Sequence, residues 1–380
     1  MSNAIFSRRD FSRVIGQSLA LALAAPHFRA AAARPNVNPS RADAVRINAN
    51  ENPYGPPPKA LEALATCGGI ACRYPNDEYV QMIDALAQLH GVGRDNIVLG
   101  CGSTEILRVA DMAFLKPGQN VVAAEPTFEA VLEYARVTRA EPVKVPLTPD
   151  HRHDLPKMAA ACTSKTGLVY ICNPNNPTGT IVSRDEIADF IPRVPSSTLI
   201  LIDEAYHHFV ENPRYATSLE WIGKHPNIVI ARTFSKIYGM AGMRLGYAVG
   251  AKETIARMRE HLVEDNANAA VLSAAMVSLG DTGHIASCRK RLNDTRRWVT
   301  DQLGKDGWTV VPSEANFVMI DMGRDVRPII QEFRTRNILV GRRFPSMGNF
   351  LRVSIGTQPD MESFLSAFRE IASADKSKAA

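Results

Sequence analysis

The chain has 380 residues, of which 45% are hydrophobic and 22% charged, and its formal net charge is +5. This is a globular composition, long enough for a large core and two domains. Residues 1–33 contribute +3 of the charge, from four arginines and one aspartate, and no basic stripe with interleaved aromatic residues occurs, so we expect no nucleic-acid partner.

The first 33 residues have the organisation of an export signal. The segment "SRRDFSRV" contains paired arginines, residues 14–28 carry no charge, and the alanines at 30–33 offer small-residue cleavage sites. The uncharged run is too short and too weakly apolar for a membrane span. We therefore predict a twin-arginine signal peptide over residues 1–33 and a periplasmic or otherwise exported protein, which stays cytoplasmic if this segment is not a signal.

Residues 34–70 are predicted to form an N-terminal arm, because the proline-rich "INANENPYGPP" is too apolar to stay away from the main body. Five short apolar runs without alternation then follow between residues 96 and 232: "NIVLG", "NVVAA", "GLVYI", "STLILI" and "NIVIA". Such runs predict strands buried on both faces of a mostly parallel sheet. Helical periodicity between them, as in "EILRVADMAFL", predicts an α/β fold. We assign residues 71–280 to a large domain.

The pattern changes over residues 281–380. A long polar helix at 284–303 precedes the strand-like segments "GWTVV" and "ANFVMID", a helix at 325–336, the segments "NILVG" and "NFLRVSIG", and a last helix from Pro359. This order predicts a smaller α+β domain.

Six cysteines are present in the chain. Cys67 and Cys72 are the only local candidate pair for a disulfide after export, and Cys101 and Cys172 are predicted to pack in the core. The sequence shows no metal-ligand spacing, so we predict no metal site.

Polar groups follow several of the predicted strands. In "LGCGSTE" the free backbone N–H groups at a helix start, with the hydroxyls of Ser103 and Thr104, predict an anion-binding loop. In "CNPNNPTGT" two prolines and a glycine stiffen the loop that carries Asn176. In "LILIDEAYHHF" Asp203 follows a buried strand directly, where a carboxylate is costly unless a cation meets it.

A lysine and an arginine complete the set. Lys236 and Arg244 lie in "RTFSKIYGMAGMRLGY", directly after the strand "NIVIA". Pyridoxal phosphate requires an anion for its ring nitrogen, donors for its phenolic oxygen, N–H, hydroxyl and guanidinium groups for its phosphate, and an amine for its aldehyde. The sequence therefore predicts a pyridoxal phosphate site, and desolvation of Lys236 beside Arg244 favours the neutral amine that imine formation needs.

These motifs carry a family resemblance. "NPNNPTG", "IDEAY", "TFSK" with an arginine eight residues later, and "LRVSIGT" resemble the motifs of fold-type I aminotransferases. With "NENPYGP", "RYPN" and "PTF" they are most similar to the histidinol-phosphate aminotransferase group. The resemblance covers residues 45–370. It implies a fold-type I PLP-transferase, with a mostly parallel central sheet and flanking helices in the large domain and a smaller α+β domain.

The resemblance also implies roles for individual residues. Lys236 forms the Schiff base with the cofactor and moves the proton between the substrate Cα and C4′. Asp203 pairs with the ring nitrogen, Asn176 and Tyr206 donate to the phenolic oxygen, and Phe128 stacks on the ring. The cofactor phosphate is held by Ser103, Thr104, Thr233, Ser235 and Arg244. Tyr74 of "RYPN" reaches the phosphate in a neighbouring subunit, which implies a homodimer with shared sites.

The resemblance places the substrate beside Arg352, whose guanidinium clamps a carboxylate. Tyr54 and Asn316 line the same pocket. Members of the histidinol-phosphate group carry another arginine directly after the valine of the "ILV" strand, for a substrate phosphate. Gly341 stands there in this chain, followed by Arg342 and Arg343, either of which could take that role.

The implied reaction is transfer of an amino group between an amino acid or amine phosphate and a 2-oxo acid by a ping-pong mechanism. The donor is histidinol phosphate or, as an alternative, an aromatic or other amino acid. A phosphothreonine-type decarboxylase is the other alternative, and CO₂ release without dependence on an oxo acid distinguishes it. A β-eliminating lyase would release ammonia and pyruvate. The absence of a dinucleotide glycine fingerprint disfavours a nicotinamide oxidoreductase.

Overall fold

Most of the apolar runs pair into one large sheet. The computed structural model describes residues 44–379, with side chains over residues 44–373, and the predicted signal peptide lies outside the described residues. In chain order the strands are β1 (Val45–Ile47), β2 (Ile97–Gly100), β3 (Asn120–Glu125), β4 (Glu141–Pro146), β5 (Thr166–Cys172), β6 (Leu199–Asp203), β7 (Ile228–Thr233), β8 (Gly246–Gly250), β9 (Val310–Val311), β10 (Phe317–Asp321), β11 (Ile338–Val340) and β12 (Phe350–Ser354).

Helices alternate with the strands from β2 to β6 and then dominate the C-terminal third. In chain order they are α1 (Pro58–Thr66), α2 (Asn76–His90), α3 (Ser103–Phe114), α4 (Ala130–Thr138), α5 (Leu155–Ala161), α6 (Arg184–Phe190), α7 (Lys252–Arg259), α8 (Ala269–Gly280), α9 (Thr282–Lys305), α10 (Arg327–Thr335) and α11 (Gln358–Ala379). Within residues 44–379 no single helix is long and apolar enough to cross a membrane, although α8 and α9, which meet at an 81° bend, pass that length and composition test as a pair.

The large sheet has seven strands in the order β2-β8-β7-β6-β5-β3-β4. Strands β7, β6, β5, β3 and β4 run parallel, and β8 is antiparallel to both of its neighbours. Consequently β2 points the same way as β7, and the carboxyl ends of β2, β3, β5, β6 and β7 share one edge. The predicted mostly parallel sheet is confirmed, and its loops meet where ligands bind in such folds.

The strands that could be predicted from the sequence are mainly those whose residues are buried on both faces of the sheet. Every residue of β5, β6, β7 and β8 is buried, as expected for strands covered on both faces. β4 was not predicted, because this edge strand contains two prolines and only one buried residue. β8 was not predicted either, because it is bounded by glycines. At Gly246 a Cβ atom would lie 2.2 Å from the backbone nitrogen of Ser103, so the loop after β2 can approach β8 only at a glycine.

Two smaller sheets contain the remaining strands. β12, β10 and β9 form an antiparallel sheet, whereas β1 pairs in parallel with β11. Residues 45–47 thus pair with residues 338–340, a long-range contact that no local pattern reveals. The helix α1, which lies within the predicted arm, was also not predicted. The domain limits at 70/71 and 280/281 stay predictions.

The cysteines differ in part from the prediction. Cys172 is buried, as predicted, but Cys101 is exposed, so its assignment to the core was wrong. The exposed position follows from the loop geometry, because Cys101 lies between β2 and the start of α3, where the chain leaves the sheet. Cys67 and Cys72 are both free thiols.

A buried ion pair supports the end of β6. Glu204 accepts hydrogen bonds from Arg232 Nη2 at 2.7 Å, Thr217 Oγ1 at 2.8 Å and the Ser218 backbone N–H at 2.6 Å. The side chains of Glu204 and Arg232 are 1% and 8% exposed. Removing one partner of such a pair leaves an uncompensated buried charge. We expect Arg232→Met to lower the free energy of unfolding by about 3–5 kcal/mol in urea titrations.

Arg184 offers a matched control, since it pairs with Glu220 at 2.6 Å on the surface. Arg184→Met should cost less than about 1 kcal/mol. Equal losses in the two variants would show that the buried pair has no special part in stability.

Candidate active site

A cavity of about 340 Å³ lies at the edge where the parallel strands end. It brings together residues from the loops after β2, β3, β5, β6 and β7, with others from the arm and from the β11–β12 region. The predicted site residues that line it are Ser103, Thr104, Phe128, Asn176, Asp203, Tyr206, Thr233, Ser235, Lys236, Arg244, Arg342 and Arg352. A single cavity therefore contains residues that are up to 303 positions apart in the sequence, from Ala49 to Arg352.

Lys236 extends from the loop after β7 into this cavity. Its Nζ donates to the backbone oxygen of Ala49 at 3.4 Å and lies 5.5 Å from the ring centroid of Tyr206. The arm fixes the loop, because Asn52 Nδ2 donates to the backbone oxygen of Ile237 at 2.8 Å. Burial lowers the pKa of Lys236 to about 8, and the positive charge of Arg352 adds to the effect. The neutral amine is consequently a minority near physiological pH, but a far larger one than for an ordinary lysine.

Asp203, the last residue of β6, is held by neutral donors. Its Oδ2 accepts from the Tyr170 hydroxyl at 3.0 Å, and its Oδ1 accepts from the Ala205 backbone N–H at 3.1 Å. Burial raises the pKa of Asp203 to about 6, against the opposing effects of the Tyr170 and Ala205 hydrogen bonds and of the positive charge of Lys236. The expected cationic contact is thus not a direct ion pair within the described residues. The carboxylate is available to a cation in the cavity.

The loop after β2 and Arg244 form an anion cradle. Gly102 has a φ of +76°, and a Cβ atom there would lie 2.1 Å from Arg244 Nη2, so only glycine lets the guanidinium reach this loop. Arg244 Nη1 donates to the backbone oxygen of Ala241 at 2.9 Å and to Ser235 Oγ at 3.4 Å. Ser103 and Thr104 begin α3. Backbone N–H groups, hydroxyls and a guanidinium therefore converge, as a phosphate requires.

Arg352 of β12 is buried and lines the cavity. Its Nη1 donates to Asn176 Oδ1 at 2.7 Å and its Nη2 to the backbone oxygen of Asn48 at 2.9 Å, while its buried Nε has no partner among the described residues. Burial lowers the pKa of Arg352 to about 10. Tyr206 accepts from Asn50 Nδ2 at 3.1 Å. Within the described part of the chain this guanidinium has no carboxylate partner, so it suits an anionic group of a substrate.

The donor set fits pyridoxal phosphate. The cradle matches its phosphate, the Asp203 carboxylate matches its ring nitrogen, and the amine of Lys236 matches its aldehyde. Asn176 and Tyr206 lie in the same cavity, as hydrogen-bonding partners of a phenolic oxygen must.

Four predicted residues lie outside the lining of this cavity. Asn316 donates to the backbone oxygens of Asn50 and Glu51, both at 3.1 Å, so it supports the cavity wall from behind. Tyr54 packs against the guanidinium of Arg291, 3.5 Å from the ring centroid. Both were expected in the pocket lining, and the arm's backbone takes their place. Arg343 lies 3.5 Å from Asp325, and Tyr74 is 75% exposed at the surface.

Other residues of the site were not predicted. Tyr170 lies within an aliphatic strand, where its hydroxyl was the only available signal. Asn50 and Glu51 line the cavity. The segment "INANENP" contains these polar residues, but no role in the site was predicted for them. Glu129 forms an ion pair with Arg342 across 213 residues of sequence, and no local pattern indicates it.

Comparison with known proteins places these residues in context. The family described as "Aminotransferase class I and II" matches residues 42–368. A histidinol-phosphate aminotransferase of Moorella thermoacetica is 38% identical over 87% of this chain and 86% of its own, and an aromatic amino acid aminotransferase of Thermobifida fusca is 35% identical over 86% and 89%. The crystal structure of the Sinorhizobium meliloti histidinol-phosphate aminotransferase in complex with pyridoxal-5′-phosphate superimposes with a TM-score of 0.82 at 27% identity, covering 87% of this chain and 91% of that one. The matched range includes every residue that lines the cavity.

Proposed function

Because the chain belongs to the class I and II aminotransferases, and is thus a PLP-dependent transaminase of fold type I, we propose that it transfers the amino group of an anionic, ring-bearing donor to a 2-oxo acid. Histidinol phosphate is the proposed donor. The observation that carries this proposal is the buried guanidinium of Arg352, which has no carboxylate partner among the described residues and lines the cavity that holds Lys236. The similarity to histidinol-phosphate aminotransferases supports it.

The proposal assigns each residue a task. When bound, pyridoxal phosphate accepts the amino group of the donor and withdraws electrons from its Cα. Asp203 keeps the ring nitrogen protonated, Asn176 and Tyr206 hold the phenolic oxygen, and Phe128 covers the ring. The phosphate is held by Ser103, Thr104, Thr233, Ser235 and Arg244.

Lys236 is the proposed general base and acid. It first holds the cofactor through its amine and then, once the donor has displaced it, takes the proton from the substrate Cα and returns it at C4′. The low pKa of Lys236 suits this task, because a base must be neutral at working pH to accept a proton. Ping-pong kinetics follow, since the donor's keto product leaves before the oxo acid binds.

An aromatic amino acid is the second candidate donor. Gly341 occupies the place of an additional arginine, and a Cβ atom there would lie 2.6 Å from the backbone oxygen of Arg352 and 3.2 Å from its Nε. This backbone therefore leaves no space for a cationic side chain at 341. A donor with a single carboxylate needs only the guanidinium of Arg352. The glycine at position 341 therefore provides no additional cation for a donor's phosphate or for a second acid group.

A panel of amines tests the proposal. The mature protein with bound cofactor is mixed with histidinol phosphate, phenylalanine, tyrosine and threonine phosphate, with and without 2-oxoglutarate, and kcat/KM and CO₂ release are measured. Histidinol phosphate should give the highest kcat/KM, and turnover should require the oxo acid. Preference for an aromatic amino acid would select the second candidate. Release of CO₂ without an oxo acid would contradict transamination as the main reaction.

Lys236 makes cofactor attachment pH-dependent. Since only the neutral amine attacks the aldehyde and the pKa of Lys236 is about 8, the attachment rate should rise about tenfold per pH unit below 8 and level off above it. Arg352→Gln removes a repelling charge and should move the plateau to higher pH. Stopped-flow absorbance of the cofactor-free protein measures this rate. A rate that rises unchanged toward pH 10, as for an ordinary lysine, would contradict the low pKa.

Tyr170 is a proposed positioning residue for Asp203. Tyr170→Phe removes one hydrogen bond to the carboxylate, raises its pKa and weakens its hold on the protonated ring nitrogen. We expect the cofactor Kd to rise about tenfold or more in titrations of the cofactor-free protein. Tyr247→Phe is the control, because that hydroxyl contacts His90 at 3.0 Å, and neither residue lines the cavity. Equal Kd values for Tyr170→Phe and wild type would contradict the role.

Assembly and location are further parts of the proposal. The exposed Tyr74 is proposed to reach the cofactor phosphate of a second subunit, and a monomer in sedimentation at assay concentrations would refute this. The signal at residues 1–33 is proposed to export the protein, with residues 71–280 and 281–380 as its two domains. Fractionation of cells should find the protein outside the cytoplasm. Replacement of Arg8 and Arg9 by lysine should keep the protein in the cytoplasm.

A further inference from the structure

Glu129 and Arg342 form an ion pair at the edge of the substrate part of the cavity. Glu129 follows Phe128, which lines the cavity, and precedes α4, whereas Arg342 follows β11 and also lines the cavity. Their side chains are 38% and 53% exposed. The pair therefore joins the loop after β3 to the segment after β11, and both contribute residues to the cavity lining.

The surroundings leave Arg342 as the second cation for the donor. At Gly341 a side chain would collide with Arg352. Arg343 packs against Gly348, where a Cβ atom would lie 2.5 Å from its Nη2, and it faces Asp325 rather than the cavity. Within the described residues, the other arginines of the cavity are Arg244, in the phosphate cradle, and Arg352.

Arg342 and Arg352 are also coupled to each other. The guanidinium carbon of Arg342 lies 4.3 Å from the ring centroid of Phe344, and that of Arg352 lies 5.2 Å from the same centroid. Since both guanidinium groups line the cavity, a group with two negative charges matches the pair, whereas a single carboxylate is satisfied by Arg352. Before a donor binds, the charge of Arg342 is compensated by Glu129.

We propose that Glu129 determines donor specificity by competing with the donor's anionic group for Arg342. This inference rests on the proposed function. A phosphate monoester, with up to two charges and three acceptor oxygens, displaces Glu129 and gains Arg342. A carboxylate uses Arg352 and leaves the Glu129–Arg342 pair in place. Glu129 thus lowers the advantage of phosphorylated donors over amino acids.

The test compares Glu129→Gln, Arg342→Gln and the double variant, each with cofactor bound so that the cradle is filled. The ratio of kcat/KM for histidinol phosphate to kcat/KM for phenylalanine is measured. Because an exposed ion pair is weak, Glu129→Gln should raise this ratio about two- to fivefold. Arg342→Gln should lower it about tenfold or more. The double variant should match Arg342→Gln, since Glu129 acts through that arginine.

Glu133→Gln is the matched control, because Glu133 lies one turn further along α4, is exposed and does not line the cavity. It should leave the ratio unchanged. An unchanged ratio in Glu129→Gln, or an equal increase in the Arg342→Gln background, would overturn the inference.

The affinity for inorganic phosphate tests the role of Glu129 independently of which donor the enzyme uses. Calorimetric titration of the protein with cofactor bound should give a Kd two- to fivefold lower in Glu129→Gln and higher in Arg342→Gln. If neither donor reacts with the wild type, the proposed function fails, but the phosphate titration still tests Glu129. Identical phosphate affinity in wild type and Glu129→Gln would overturn the inference even where histidinol phosphate is the donor.

Discussion

Replacing Lys236 with alanine is expected to reduce kcat by at least 10²–10⁴-fold, the range that general acid–base catalysis alone contributes. The cavity contains no second amine among the described residues that line it, so no other lysine can take the Cα proton. The loss should appear with every donor that the wild type accepts, because the amine is proposed to act on the reacting carbon and not on the donor's side chain. Steady-state kinetics with an oxo-acid acceptor measure it.

Two controls test whether the loss of kcat in Lys236→Ala comes from the missing amine. Lys252→Ala removes a surface lysine that pairs with Asp95 at 2.8 Å and should leave kcat within twofold of wild type. Addition of a small primary amine to Lys236→Ala should restore part of the rate, since a soluble base can enter the vacated space. A Lys236→Ala protein that keeps more than a tenth of wild-type kcat would contradict the assigned role.

Replacing Asp203 with asparagine is expected to lower kcat about 10²–10³-fold, the magnitude found when one group that stabilises transition-state charge is removed. Asparagine keeps the size of the side chain and can still accept from Tyr170, but it carries no charge to hold a proton on the ring nitrogen. The cofactor Kd should rise as well. Both quantities are measured on protein reconstituted with cofactor, from initial rates and from absorbance titration.

Asp111 offers a control with the same substitution. It is fully buried in α3, its oxygens have no partner among the described residues, and burial raises its pKa to about 8. A neutral carboxyl there is already close to an amide, so Asp111→Asn should change kcat less than twofold. Similar losses in the two variants would mean that Asp203 acts through stability and not through charge.

The sequence predicts which polar residues come together in this cavity better than it predicts the residues that hydrogen-bond to them. That Lys236 and Asp203 share one cavity could be predicted, because charged residues at or just after the ends of apolar strands are costly without a partner, and such ends meet at one edge of a parallel sheet. The exact partners could not be predicted. Tyr170 is one more apolar residue in a strand pattern, and only the pairing of β5 with β6 shows that its hydroxyl reaches Asp203.

Long-range pairing accounts for most of the other differences. The contact of β1 with β11 and the Glu129–Arg342 pair join segments hundreds of residues apart, and periodicity within a window carries no such information. Tyr54 and Asn316 were expected in the pocket from the resemblance alone, and their packing against Arg291 and the arm's backbone depends on the tertiary fold. The requirement for glycine at 246 could not be predicted from local sequence either, because it comes from the loop after β2 that packs against this residue.

The proposed bond between Lys236 and the cofactor can be tested directly. The purified protein is incubated with pyridoxal phosphate, reduced with borohydride, digested and analysed by mass spectrometry. The account predicts one modified peptide per chain, with the reduced cofactor on Lys236, and no modification in Lys236→Ala. A cofactor attached to another lysine, or no attachment in the wild type, would contradict it.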